Sequence, residues 1–297
     1  MNKLIDLARL PPPAVIEELD FETIFQGKLA RFRGLYPQFS AILETDPVIK
    51  LLELATYDEL TLRARINDAA QAVLLPFARG SDLEQLAALL GVSRLLLDAG
   101  NPTSQPPVPA TYEDDERLRL RAQMALEGET VAGSRDSYVF HALSADAHVA
   151  DVAVDSPVPG TVRVTVLSVD GDGSPSAGLL VSVAAYLSAE DRRPLSDTVQ
   201  VRAASLRPFA LRTTLYRRPG PDGDPAGAAA RTGLAAYLAD CRKIGRDVPR
   251  SGLYAALHVP GILRVDLQEP ALDLLMAGNE VALCTELAIQ VVNSDER

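Results

Sequence analysis

The sequence predicts an α+β protein: an N-terminal helical segment with one long amphipathic helix, followed by mixed strand–helix layers. Three observations lead there. From Val48 to Leu74 apolar residues recur every three or four positions, the period of a helix with one greasy face. Beyond residue 148 the spacing shifts to alternation, as in Val162, Val164 and Val166, the period of a strand. Strand-like and helix-like stretches then succeed one another twice, which reads as sheets with helices on one face and as two repeated units of a degenerate duplication. The expected segments are 1–100, a helical arm and bundle segment; 101–112, a Pro-rich linker; 113–205, a first α+β domain; and 206–297, a second.

In order along the chain, Leu10-Pro11-Pro12-Pro13 suits an extended polyproline arm. Asp20 can cap a helix over 21–36, which Pro37 helps to stop. Asp46-Pro47 then pairs an N-cap with a proline at the first helical position, where its missing N–H costs nothing. The helix that follows runs to about residue 75, roughly 40 Å at 1.5 Å per residue. Its other face carries Glu53, Asp58, Glu59, Arg63, Arg65 and Asp68. A helix this long cannot bury its stripe alone. It either packs on its own short neighbours as a hairpin or enters a bundle with other chains.

A shorter helix is punctuated by a Ser81/Glu84 capping box, a stripe of Leu83, Leu86, Leu89 and Leu90, and a terminating Gly91. Asn101 to Pro109, polar with four prolines, reads as a linker or arm. Helices are expected over 113–126 and 134–147, strands over 149–155 and 161–169 around a Pro157–Gly160 turn, a helix over 177–188 and a strand over 198–203. The second unit should have a strand over 209–216, a loop over 219–225, helices over 225–241 and 251–258, and strands over 262–268 and 283–292.

Composition narrows the function. Lys and Arg total 29 against 40 Asp and Glu, a net charge of -11, which disfavours nucleic acid, whose affinity comes from cations displacing counterions. A basic face around Arg117, Arg119 and Arg121 is conceivable, but a solvated helix face pairing with Glu113 to Glu116 is the plainer reading. There is no tryptophan and aromatics are 5%, which argues against a sugar-binding or base-stacking surface. Cys241 and Cys284 fit no metal or redox spacing and read as reduced apolar residues. With neither a secretory leader nor a long uninterrupted apolar run, a soluble cytoplasmic product without a membrane span is expected.

Catalytic chemistry finds no foothold. His141 and His148 lie seven apart, two helical turns rather than the single turn of a zinc pair. Ser251 and His258 could in principle serve a hydrolase, yet no nucleophile elbow surrounds Ser251, which reads as a helix N-cap. Asp170-Gly171-Asp172-Gly173 and Asp222-Gly223-Asp224 lack the remaining ligands of a calcium loop and read as turns. No phosphate loop or dinucleotide fingerprint is present. No catalytic, metal or cofactor residue is assigned.

Several blocks in order nevertheless resemble one family. They are Leu10-Pro11-Pro12-Pro13-Ala14-Val15-Ile16-Glu17-Glu18-Leu19-Asp20-Phe21, then Gly80-Ser81-Asp82-Leu83-Glu84-Gln85-Leu86-Ala87, then Val131-Ala132-Gly133-Ser134 and Asp151-Val152-Ala153-Val154. Farther on come Arg192-Arg193-Pro194-Leu195-Ser196-Asp197, Gly245-Arg246-Asp247-Val248 and Ser251-Gly252-Leu253-Tyr254-Ala255-Ala256-Leu257-His258-Val259-Pro260-Gly261. Together they are similar to the baseplate assembly protein J family of contractile-tailed phages and contractile bacteriocins. The resemblance implies a non-enzymatic wedge subunit of a baseplate, made in the bacterial cytoplasm and incorporated into the particle. Its implied partners are a baseplate protein I-like chain, a second copy of itself, and other baseplate, hub and sheath proteins, with no cofactor, nucleic acid or membrane. On this reading Val48, Leu51, Leu52, Ala55, Leu62, Ile66 and Val73 form the partner-bundle face, while Leu253, Val259 and Val265 belong to a ring interface around the tail tube. A generic cytosolic scaffold and a serine hydrolase using Ser251 and His258 are the competing readings.

Overall fold

The computed structural model describes residues 7, 10, 11, 13–39, 43, 45–130, 133–190, 192–217 and 225–293. Two compact units divide the chain: Met1–Arg94 with Asp114–Gln123, and Leu95–Glu113 with Met124–Arg297. Part of the proline arm, with Pro12, and the loop holding Asp222-Gly223-Asp224 lie outside the described residues.

In the first unit α1 (Phe21–Leu35) starts where Asp20 Oδ2 accepts from the Thr23 N–H at 2.7 Å, and α2 (Pro47–Ala72) where Asp46 Oδ1 accepts from Val48 N–H at 2.8 Å. The two helices run antiparallel. Lys28 pairs with Glu59 at 2.6 Å, Arg63 bridges Glu59 and Glu17, and Asn67 exchanges two hydrogen bonds with the Glu17 backbone. Phe21 packs on Tyr57 across the hairpin, and Phe32 meets Phe39 edge-on where the chain leaves α1.

The capping box at α3 (Gly80–Leu89) does not form. The helix begins two residues earlier than that box requires, and its N-cap, Arg79, supplies no side-chain bond. Instead Asp115 Oδ2, 35 residues away in sequence, accepts from Gly80 N–H at 3.0 Å, while Glu84 turns to Arg94 at 2.6 Å. Arg94 closes the set by pairing with Asp115, also at 2.6 Å. A carboxylate from the start of α4 (Asp115–Gly128) has displaced the local serine because it offers charge to the positive helix end as well as a hydrogen bond. The Gly80 N–H and then Arg94 hold the Asp115 carboxyl below its ordinary pKa. Its contribution to stability is therefore present above the ordinary carboxylate range and is lost as pH falls through the depressed folded value. Asp115→Ala should cost about 1 kcal/mol at neutral pH and remove that part of the acid limb, as read by urea unfolding at several pH values.

On α4 Arg119 pairs with Glu116 at 2.6 Å, as the charge pattern suggests, but Arg119 and Arg121 also turn inward. Arg119 donates to the carbonyls of Leu75 and Ala78 at 2.8 and 2.7 Å, and the buried Arg121 donates to Ser93 carbonyl at 3.1 Å. Arg119 thus satisfies carbonyls beyond the end of α2 and Arg121 one beyond the end of α3, an inward role that charge counting does not reveal.

The second unit opens with a short antiparallel pair, β1 (Leu96–Asp98) and β2 (Thr111–Tyr112), with Asn101 and Val108 bridging inside the proline-rich segment between them. Next come α5 (Arg135–Ala145), β3 (Val149–Val158), β4 (Thr161–Ser168), α6 (Ala177–Leu187) and β5 (Thr198–Ala203). Ser134 and Ser176 cap the two helices, as their sequence positions suggest. The sheet order is β3-β4-β5, antiparallel then parallel. Val152, Val164 and Val166 pack against Tyr138, Ala142, Leu179 and Val183, so both helices cover one face.

The final module contains β6 (Ser205–Arg217), α7 (Pro225–Cys241), α8 (Arg250–Leu257), β7 (Ile262–Glu269) and β8 (Glu280–Asn293) in a β7-β6-β8 sheet. It shares with the preceding sheet a central strand flanked by one antiparallel and one parallel neighbour. The connections differ, however. The centre is the second strand of one sheet and the first strand of the other, so the likeness is of layering rather than of chain path. Only Ala204 separates β5 from β6; it is buried with Leu167 and Val281. Beside it the Asp151 carboxylate accepts from Ile244 N–H at 2.7 Å, and burial pushes its pKa up.

Candidate interaction surfaces

A helical hairpin of this size should bury a row of apolar residues between its helices. On α1 the fully buried residue is Leu29, and on α2 they are Ile49 and Thr56. Across the seam Lys28 pairs with Glu59 and Phe21 packs on Tyr57.

Turned away from that seam, the apolar stripe of α2 is open. Leu51 is 65% exposed, Leu62 66%, Ile66 57% and Val73 67%, and Ala55 is exposed with them. Five of the seven candidate bundle residues thus lie on one uncovered strip, while Val48 and Leu52 are half-buried. The hairpin was one of two arrangements open from the residue pattern. It forms, yet it leaves this stripe uncovered. A row of large exposed apolar side chains, held rigid on one helix, marks an interaction surface.

The ring-interface residues behave otherwise, and the assignment is corrected. Leu253 is completely buried, Val265 is 9% exposed, and Val259 packs half-buried against the same core. Leu253 and Leu257 lie one turn apart on α8 and meet Leu211 and Leu215 of β6, so their greasy face is consumed inside the module. Gly252 brings α8 close to α7: a Cβ there would stand 2.0 Å from the Tyr237 hydroxyl.

What this module does offer outward was not legible in the sequence. In the 270–279 connection Leu272 is 78% exposed and Leu275 is 68% exposed. The loop is rigidly tied: Val248 and Leu274 exchange backbone hydrogen bonds, and Asp247 accepts from Met276 N–H at 2.7 Å. Asp273 accepts from Arg250 N–H at 2.7 Å and so caps α8, the role expected of Ser251. Again a distant carboxylate takes over from a local serine.

The remaining chemical candidates disperse. Ser251 and His258 sit at opposite ends of α8, about 10 Å apart along its axis, too far to share a proton. His148 bonds Asp146 at 2.9 Å, and His141 is buried in α5. Asp170 to Gly173 forms a turn, closed by Ser168 N–H donating to the Gly173 carbonyl at 2.8 Å. Cys241 and Cys284 line one small cavity against Phe209 and Leu238. Among the described residues no three His, Cys, Asp or Glu side chains gather as a metal site, and no helix is long and apolar enough to cross a membrane.

Comparison with known proteins matches this architecture module by module. The family description for the baseplate J-like N-terminal domain matches residues 44–101, that for the baseplate J-like central domain 130–203, and that for the baseplate J-like protein C-terminal domain 209–290. Baseplate protein J of Escherichia phage P2 is 42% identical over 300 residues, 99% of each chain. A chain in the 6-fold symmetrised cryo-EM structure of the anti-feeding prophage baseplate aligns with a TM-score of 0.43 at 16% identity. That alignment covers 60% of the present chain and 44% of the other.

Proposed function

Since the chain belongs to the baseplate J-like family, whose members are structural baseplate components and not enzymes, we propose that it is a wedge subunit of a contractile tail or contractile injection particle. In this reading α2 enters a helical bundle with a baseplate protein I-like chain and a second copy of this one. The C-terminal module meets neighbouring copies and closes the ring around the tail tube. One observation carries the proposal: α1 and α2 fully bury Leu29, Ile49 and Thr56, while the apolar stripe of α2 stands open to solvent. Burying large apolar side chains stabilises by about 1.5–3 kcal/mol each, so a hairpin in this state gains most by acquiring helices from outside.

The ring contact is assigned to Leu272 and Leu275, which project from a tied loop, in place of Leu253 and Val265, which serve the core. The net charge of -11 suits an assembly partner kept soluble before docking.

Native mass spectrometry of the chain, alone and co-expressed with the product of the adjacent reading frame, tests the wedge. Two copies of this chain with one partner is the expected mass. A monomer that ignores the co-expressed product overturns the bundle reading.

A further inference from the structure

We propose that Asp58 selects the partner of α2: it bars in-register pairing with a second copy and admits a helix of another chain that carries a lysine or arginine at the same level. The inference rests on α2 being a bundle helix and names what that bundle must contain.

The exposed stripe has its own period. Leu51, Leu62 and Val73 are eleven residues apart, as are Ala55 and Ile66, and so are Asp58 and Ala69. Successive positions are spaced 4, 3, 4, 4, 3 and 4, and every one of them is exposed. Eleven residues over three turns is about 3.67 per turn, close to the natural helix. Such a stripe stays on one side of a straight or gently right-handed helix and presents three seam positions per repeat. Asp58 occupies the third of these, where the next repeat has alanine. It is therefore inside the surface that packing would close, not on the solvated rim.

Its neighbour Glu59 is held within the chain by Lys28 and Arg63. Asp58 has no hydrogen bond or ion pair to any other described residue. Closing the seam would take this carboxylate out of water. Alone that is costly, and opposite a second Asp58 it is costlier still, because two like charges would share one low-dielectric site. A cation from a different helix reverses the sign and fixes the register, the best-attested use of a polar residue in a helical seam. In a wedge with two copies of this chain, one partner cation can face both carboxylates.

Full-length chains provide the test without any other protein. Isotope-labelled wild-type chain is mixed with Asp58→Lys chain, and the pairs are resolved by native mass spectrometry and sedimentation. The mixed pair should be at least tenfold tighter than either like pair, and Asp58→Leu should tighten its own like pair at least tenfold over wild type. Mixed and like pairs of equal strength, or no mixed pair at all, overturns the role of Asp58. The bundle reading fails separately: placing Leu51→Asp and Leu62→Asp in both chains should abolish the mixed pair, and a pair that survives them is not using this stripe.

Discussion

Replacing Leu51 and Leu62 together by aspartate is expected to abolish association of this chain with its bundle partner and leave the C-terminal modules folded. Both leucines are about two-thirds exposed, so the isolated chain loses little when they change. In a bundle they would be buried at equivalent positions of successive repeats. Each then contributes about 1.5–3 kcal/mol, and the pair accounts for roughly a hundredfold to ten-thousandfold in affinity. Two new buried carboxylates push further the same way. Size-exclusion chromatography of the co-expressed pair reads the loss, and a thermal melt confirms that folding is retained. Undiminished co-elution would show that the stripe is not the contact.

Leu253→Ala should produce the opposite pattern: stability lost, with no selective effect on a surface. This side chain is fully enclosed between α8 and β6, and removing most of it leaves a cavity in a close-packed core. Such truncations cost about 2–5 kcal/mol. Leu272→Ala, at a side chain 78% exposed, should change stability by no more than about 0.5 kcal/mol while weakening contact between neighbouring copies. Urea unfolding of the two variants separates core from surface. Equal midpoints would mean that Leu253 is not the core residue its burial indicates.

Much of the fold was readable from residues a few positions apart. Asp20, Asp46, Ser134 and Ser176 cap the helices they precede, because each reaches a backbone N–H two or three residues on. The valine alternation of β4 and the turn before it likewise lie within one hairpin. Ser81 and Ser251 had the same local credentials, yet α3 and α8 are capped by Asp115 and Asp273. Nothing near either serine signals a competing carboxylate arriving from 35 or 23 residues away. Arg119 meets Glu116 as its charge pattern suggests, but the bonds that Arg119 and Arg121 donate inward go to backbone carbonyls, which carry no mark in a sequence.

The candidate surfaces divide along the same line. Leu51 and Leu253 are the same residue on helical stripes of the same kind, one 65% exposed and the other fully enclosed. By itself the sequence determined the element types, most of their limits and the family. These depend on period, on residue chemistry and on motifs in order. Only the tertiary structure decided which greasy stripe is spent inside the chain and which is left for another. Periodicity identifies a face that must leave water, but whether it does so depends on area supplied by elements distant in sequence. For α8 the sheet of its own module supplies that area; for α2 the hairpin with α1 covers only one side.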